Sequence, residues 1–286
     1  MGVVLGLGAA SPWGTADYFI ALTARRVGAL RVALGFHLAA LVPLAVLAFA
    51  TNALAHVTGS QILFFALLGS LGWLSYLAFY GALAAGPISL VSPITSCYAA
   101  VTVVLAVVIV GERISAAETT AVIVTIAGAM LASADMREAA TLTIKRRATG
   151  AAGLSICAMV LFGAYVFGVS YYTGIGWLAP IFLARGFTAL FLLAHAGRRG
   201  TLHWTDPPPR AIAAIALIAA LDTGGYVFFN VGARHADTSV VATASTAYAV
   251  VPIVMGVCLL RERPKRLQWL GVAIVCGGLT LLATGA

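Results

Sequence analysis

Five ionisable side chains lie deep inside apolar stretches of this 286-residue chain: Asp17, Arg31, His37, Arg185 and Asp222. A charge near the middle of a hydrocarbon layer costs about 2.5–3.5 kcal/mol on insertion scales, so each needs a partner or a task. For Asp222, in "LDTGGYVFFN", the task would be to bind a proton or a polar group of a solute, with Gly224 and Gly225 allowing close backbone approach or a hinge. The competing reading is a structural ion pair with Arg185 on the adjacent helix. Asp17, in "SPWGTADYFIAL", carries the same two readings, with Arg31 as its ion-pair partner. Arg31 and Arg185 read first as scaffold contacts and second as binders of a carboxylate. His37 reads as a satisfied buried histidine rather than a proton relay.

Other patterns that carry chemistry do not occur. The sequence has no Gly-rich loop ending in Lys-Ser/Thr, no HExxH and no nucleophile motif, and "GLGAASPWG" follows no strand, so its glycines read as helix packing. Cys97, Cys157, Cys258 and Cys276 form no CxxC and read as small packing residues; no metal and no cofactor are expected. Glu112-Arg113 and Glu262-Arg263 each close an apolar segment and read as solvated caps and turn anchors. An enzyme is not expected, because a membrane-embedded transferase would need clustered acids such as DxxD, or His and Arg gathered at one face.

The elements that hold these residues follow from composition. Hydrophobic residues make up 62% of the chain and charged ones 9%, with a mean hydropathy of +1.02, whereas soluble domains are about one-quarter charged. That balance predicts an all-α integral membrane protein. Apolar runs long enough to cross a core of ~30 Å at 1.5 Å per residue predict ten transmembrane helices, over 2–22, 28–50, 60–83, 87–110, 115–134, 150–171, 177–196, 210–231, 237–260 and 267–284. The connections are short, so no separate soluble domain is expected. The first run has no basic segment ahead of it and is followed by Arg25 and Arg26, so it reads as a retained helix rather than a signal peptide.

With ten spans, the odd-numbered connections hold thirteen of the seventeen basic residues and the even-numbered ones only Arg113 and Arg234. The positive-inside rule then puts the basic loops in the cytoplasm and both termini outside. The +8 formal charge is explained by these loops, and nucleic acid is not an expected partner.

The chain also matches itself. A shift of 150 positions sets Tyr76 on Tyr226, Phe79 on Phe229, Ser89 on Ser239, Tyr98 on Tyr248, Ala99 on Ala249, Glu112 on Glu262, Arg113 on Arg263 and Gly128 on Gly278. A shift of 149 sets Trp13-Gly14 on Phe162-Gly163, and Arg31 corresponds to Arg185 with a slightly different gap. The expected organisation is a first five-helix repeat over 1–134, a polar linker over 135–149 and a second five-helix repeat over 150–286. An odd number of spans per repeat inverts one against the other, the arrangement by which many secondary transporters build two alternative access states.

"GERISAAETTAVIVTIAGAMLAS" and "RERPKRLQWLGVAIVCGGLTLLAT" resemble the segment that ends each half of EamA-type transporters of the drug/metabolite transporter superfamily. "WGTADYFIALTARR" and "LDTGGYVFFNVGARHADTSVVATASTAYAVVPIVM" extend the resemblance over nearly the whole chain. The resemblance implies a multi-pass protein of the bacterial inner membrane. It would export amino acids, metabolites or drugs through an alternating-access cavity lined by the first, third, fourth, sixth, eighth and ninth helices, with proton coupling as an option. A facilitative channel or uniporter is the alternative, with a transferase behind it. Its expected partners are a small-molecule substrate, the lipid bilayer and the proton, and the chain is expected to act as a monomer. Many relatives carry basic residues before the first helix, and this chain has none.

Aromatic residues on those helices give the cavity its expected character: Trp13, Tyr18, Tyr76, Tyr80, Tyr98, Tyr165, Tyr226 and Tyr248. Tyr76 and Tyr80 share a helix face, and Tyr76, Tyr98, Tyr226 and Tyr248 form two repeat-related pairs. Such a wall suits an amphipathic solute with an apolar body; ordinary packing and interfacial belts claim part of the set. Asn230, Ser92, Thr95, Ser245 and Thr246 would either bond the solute or bond carbonyls one turn back. Pro93 and Pro252 are expected to bend the fourth and ninth helices.

Overall fold

Where long apolar runs alternate with Gly, Pro and charge, the chain forms helices joined by short turns. The computed structural model describes residues 1–85, 91, 94–133, 145–201, 208–260 and 265–285. In order these are α1 (Gly2–Val27), α2 (Ala29–Ala50), α3 (Gly59–Ala85), α4 (Tyr98–Leu105) with a π turn over Ala106–Val110, and α5 (Ala116–Ser133). They continue with α6 (Lys145–Tyr171), α7 (Leu178–Arg198), α8 (Pro209–His235), α9 (Thr238–Ser245), α10 (Val251–Leu260) and α11 (Arg266–Gly285). No strand occurs among the described residues.

Seven helical spans among the described residues are long and apolar enough to cross a membrane: α2, α3, α6, α7, α8, the α9–α10 rod and α11. The apolar helices over Tyr98–Val110 and Ala116–Ala132 are shorter, and α1, at 26 residues, is long but diluted by glycine and by Asp17. The count of ten crossing helices is therefore met for seven by length and composition. The start of the expected fourth span, with Ser89, Ser92 and Pro93, lies outside the described residues, as do Glu262, Arg263 and most of the linker. Outward faces carry apolar side chains at helical spacing, such as Val42, Val46 and Phe49 on α2 and Leu63 and Leu67 on α3, which is the surface a lipid environment asks for.

Helix starts have local causes. Ser115 and Glu118 exchange backbone bonds in a capping box that opens α5: the Ser115 N–H donates to Glu118 Oε2 at 2.6 Å and the Glu118 N–H to Ser115 Oγ at 3.1 Å. Thr58 and Gln61 do the same ahead of α3. Gly28, at φ 90, turns α1 into α2 without an intervening loop, a backbone conformation that costs glycine nothing.

Packing follows the repeat. α1 packs on α8 as α3 packs on α6, and α5 packs on α11. At Gly14 a Cβ would stand 2.6 Å from Tyr248 O and 2.5 Å from Val251 Cβ; at Gly163 it would stand 2.5 Å from both Tyr98 O and Val101 Cβ. These two crossings are repeat-related versions of one contact, since Gly14 maps onto Gly163 with a shift of 149 and Tyr98 and Val101 map onto Tyr248 and Val251 with a shift of 150. The α5–α11 crossing is likewise reciprocal: Gly128 faces the Val275 amide and Gly278 the Thr125 amide, 2.7 and 2.8 Å from an added Cβ.

The ninth span breaks, as its proline predicts. A 3-10 turn over Thr246–Ala249 separates α9 from α10, and Pro252 has no N–H to close a helical bond to Tyr248 O, the carbonyl that meets Gly14. In contrast, α8 runs unbroken through Gly224 and Gly225.

Candidate functional site

A cavity with about 770 Å³ of empty space, its open mouth included, lies at the centre of the helices. Its depth can be followed along α1. From Gly2 to Gly8 this helix is pressed against α8 and α9: added Cβ atoms would strike Ala236 at Gly2, Ala244 and Val241 O at Gly6, and the Phe228 ring at Gly8. The cavity begins one turn later, at Trp13, and continues past Asp17 to Ile20. α3 contributes Tyr76, Phe79 and Tyr80, α6 contributes Phe162 and Val166, and α8 contributes Asp222 and Tyr226. Thr95, Tyr98 and Tyr248 complete the wall.

Trp13 sits where four constraints meet. Its Nε1 donates to Asp222 O at 3.2 Å, its ring stands edge-on to Tyr226 at 5.1 Å and tilted against Phe229 at 5.6 Å, and Gly225 leaves it room, since a Cβ there would enter the indole. Close approach, one of the two roles read for the glycine pair, is thus the role of Gly225; Gly224 faces open space.

The two carboxylates have different surroundings. Asp222 Oδ2 accepts from Arg185 Nη2 in the one ion pair among the described residues. Arg185 is only 2% exposed, its guanidinium lies 5.4 Å over the Tyr226 ring, and its Nη1 has no hydrogen-bond partner. It lines a small separate void with Tyr165, Val169, Ile181 and Tyr226. The ion-pair reading of Asp222 is therefore present in the structure, while the same carboxylate still borders the cavity. Asp17 exposes its side chain in the cavity and has no ion pair among the described residues. Its expected alternative partner, Arg31, instead reaches Val27 O at 3.5 Å, so that pairing is not found. Arg31 is half-buried and Arg185 sealed, and their repeat-related positions do not share an environment.

Of the other expected wall residues, Tyr76 and Tyr80 stand 6.1 Å apart on one face of α3, and Tyr98 and Tyr248 meet across the repeats at 5.8 Å. Tyr18 packs on Phe19 and Tyr165 on Tyr226, away from the cavity lining. Asn230 does not line it either: the residue is fully buried, and both amide atoms lack a partner. Thr95, Ser245 and Thr246 bond carbonyls within their own helical turn, and Ser245 also meets the Tyr98 hydroxyl at 3.3 Å. His37 is buried, with Nδ1 2.8 Å from Ala33 O and its ring edge-on to Tyr76. Of the four cysteines only Cys97 is buried.

One residue acts where the sequence reading did not place it. Glu112 is a cap, as read, but of a helix in the other half and only half-exposed: its two carboxylate oxygens accept from the Thr238 and Ser239 amides at 2.8 and 3.0 Å. These are the first N–H groups of α9, where a carboxylate is favoured by the helix dipole. They lie at the end where α1 is pressed against α8 and α9. The 150-position correspondence of Ser89 with Ser239 and of Glu112 with Glu262 was the available signal, because it repeats a serine and a carboxylate at the same spacing in each half.

A multi-pass helical bundle with repeat-related crossings around an aromatic cavity has the build of a membrane transporter. The family model described as EamA-like transporter family matches the chain twice, over residues 1–134 and 149–284. The chain belongs to that family, within the drug/metabolite transporter superfamily, and is a membrane transporter. No curated protein matches it. A solved structure described as "Crystal structure of protein" superposes with a TM-score of 0.79 over 98% of this chain and 95% of its own, at 15% identity, a likeness that shows the fold alone.

Proposed function

We propose that this protein is a secondary transporter that exports small organic solutes by alternating access of the central cavity between two inverted halves, 1–134 and 150–286, joined by a linker over 135–149. The observation that carries the reading is a cavity that stops abruptly at Trp13, with the α1–α8–α9 seam and the Glu112 cap closing the end beyond it. A site closed at one end beside reciprocal Gly14 and Gly163 crossings fits one of two related states. The positive-inside pattern assigns the closed end to the outside of a bacterial inner membrane, with both termini there, and leaves the cavity on the cytoplasmic side. Substrate contacts come from Trp13, Tyr76, Tyr80, Tyr98, Tyr226 and Tyr248. Asp17 is the carboxylate through which a proton would couple, because Asp222 is already matched by Arg185.

Purified monomer in liposomes tests this. Saturable uptake that accelerates when unlabelled solute is preloaded supports a carrier. Flux that rises linearly with concentration and shows no counterflow refutes it in favour of a channel. Accumulation driven by an imposed proton gradient, lost in Asp17→Asn while counterflow of a neutral solute persists, supports coupling at Asp17.

A further inference from the structure

We propose that the cavity is built for an organic cation, with the charged nitrogen against Asp17 and an apolar, preferably aromatic, body among the surrounding rings. This rests on the reading of the cavity as the solute site. Three observations carry it. The first is a charge imbalance. Asp222 is neutralised by Arg185, whereas no basic group among the described residues pairs with Asp17, whose side chain is exposed in the cavity. In a site of low dielectric a carboxylate left in this state calls for a counter-charge, and the protein does not supply one.

The second is the lack of an anion subsite. No basic residue among the described residues lines the cavity, and Arg185, 2% exposed, is already held by Asp222. A solute carboxylate entering the cavity finds no guanidinium to meet it, which weighs against zwitterions and anions. The third is the wall itself. Trp13, Tyr76, Tyr80 and Tyr98 line the same cavity as Asp17, and indole and phenol faces attract cations through their quadrupoles. The charge also has a direction. The position that a shift of 149 sets opposite Asp17 is Val166, which lines the cavity next to Phe162. The wall is thus acidic on α1 and apolar on α6, and a bound solute is oriented with its nitrogen toward α1.

Calorimetric titration of the detergent-purified full chain at neutral pH, with benzyltrimethylammonium, benzamide and phenylacetate as probes, tests the inference. The cation should bind at least about tenfold more tightly than the anion, with the neutral amide between them. Asp17→Asn should remove that order by weakening the cation about tenfold or more while leaving benzamide within about twofold, and Asp17→Glu should retain it. Phenylacetate binding as well as the cation to the unmodified protein overturns the inference and needs no variant. An unchanged cation affinity in a folded Asp17→Asn protein, verified by its benzamide binding or thermal transition, overturns it too. The carrier reading is judged separately. Cation binding without counterflow in liposomes refutes transport but spares the site, and counterflow of an anionic solute with no cation binding does the reverse.

Discussion

Removing the Glu112 cap should open the sealed end of the cavity. The carboxylate accepts two amide bonds at 2.8 and 3.0 Å, and hydrogen bonds to a charged group contribute about 1.5–3 kcal/mol each. Glu112 is half-buried, so the lower end of that range applies, and the two bonds amount to about 3 kcal/mol. At about 1.4 kcal/mol per factor of ten, Glu112→Ala shifts the balance toward the opened end by about 150-fold. Ser239 is a suitable reporter, since it is 1% exposed and its hydroxyl has no partner, so Ser239→Cys is nearly isosteric. In a background with Cys97, Cys157, Cys258 and Cys276 replaced, the rate of modification by a membrane-impermeant thiol reagent reads the opening directly. The rate should rise by about two orders of magnitude in Glu112→Ala and by less in Glu112→Gln, which keeps one acceptor. Val241, buried deeper in the same seam, gives the control as Val241→Cys. Equal rates with and without Glu112 at both positions refute the latch. A rise at residue 239 alone reduces its role to holding one helical turn.

Three further outcomes are expected. Gly14→Ala and Gly163→Ala, whose Cβ atoms would stand 2.5–2.6 Å from a facing carbonyl and valine, should each cost about 1–3 kcal/mol and lower the thermal transition in detergent, while Gly224→Ala, facing open space, leaves it unchanged; equal effects at all three positions would contradict the packing argument. Arg185→Met alone leaves Asp222 in the interior without its partner and should destabilise by about 3–5 kcal/mol, most of it regained in Arg185→Met with Asp222→Leu; a double variant no better than the single one would show that the pair is not an isolated unit. Burial, then Glu112 and Glu118, hold the Asp237 carboxyl in the α8–α9 turn above its ordinary value of 3.8. A group whose folded-state pKa is raised stabilises the fold below its unfolded value and loses that contribution as pH rises through the folded one. Asp237→Asn should therefore flatten the stability profile over that acidic interval in thermal melts, and a profile parallel to the unmodified protein's would refute the assignment.

Periodicity and composition made the helices legible, because long apolar runs bounded by Gly, Pro and charge leave few alternatives in a bilayer. The tyrosines could be assigned to a cavity because their helices were assigned by resemblance, and the repeat matched Tyr98 with Tyr248, which do meet. What the sequence did not carry was azimuth. Asn230 lies one turn beyond Tyr226 yet turns into the core rather than toward the solute. The pairing of Arg185 with Asp222 was one of two readings until the α7–α8 contact selected it. Glu112 was legible as a cap but not as a cap for another half, because a contact between residues 126 positions apart leaves no local trace in the chain.

The reciprocal crossings at Gly14 and Gly163 have a further consequence. They place matched close approaches in both halves, while the carboxylate of the cavity wall belongs to one half only, with valine in the corresponding place. On the proposed carrier reading, a substitution at Asp17 alters what the wall offers a solute without touching either crossing, whereas a substitution at Gly14 or Gly163 alters a crossing without touching that carboxylate.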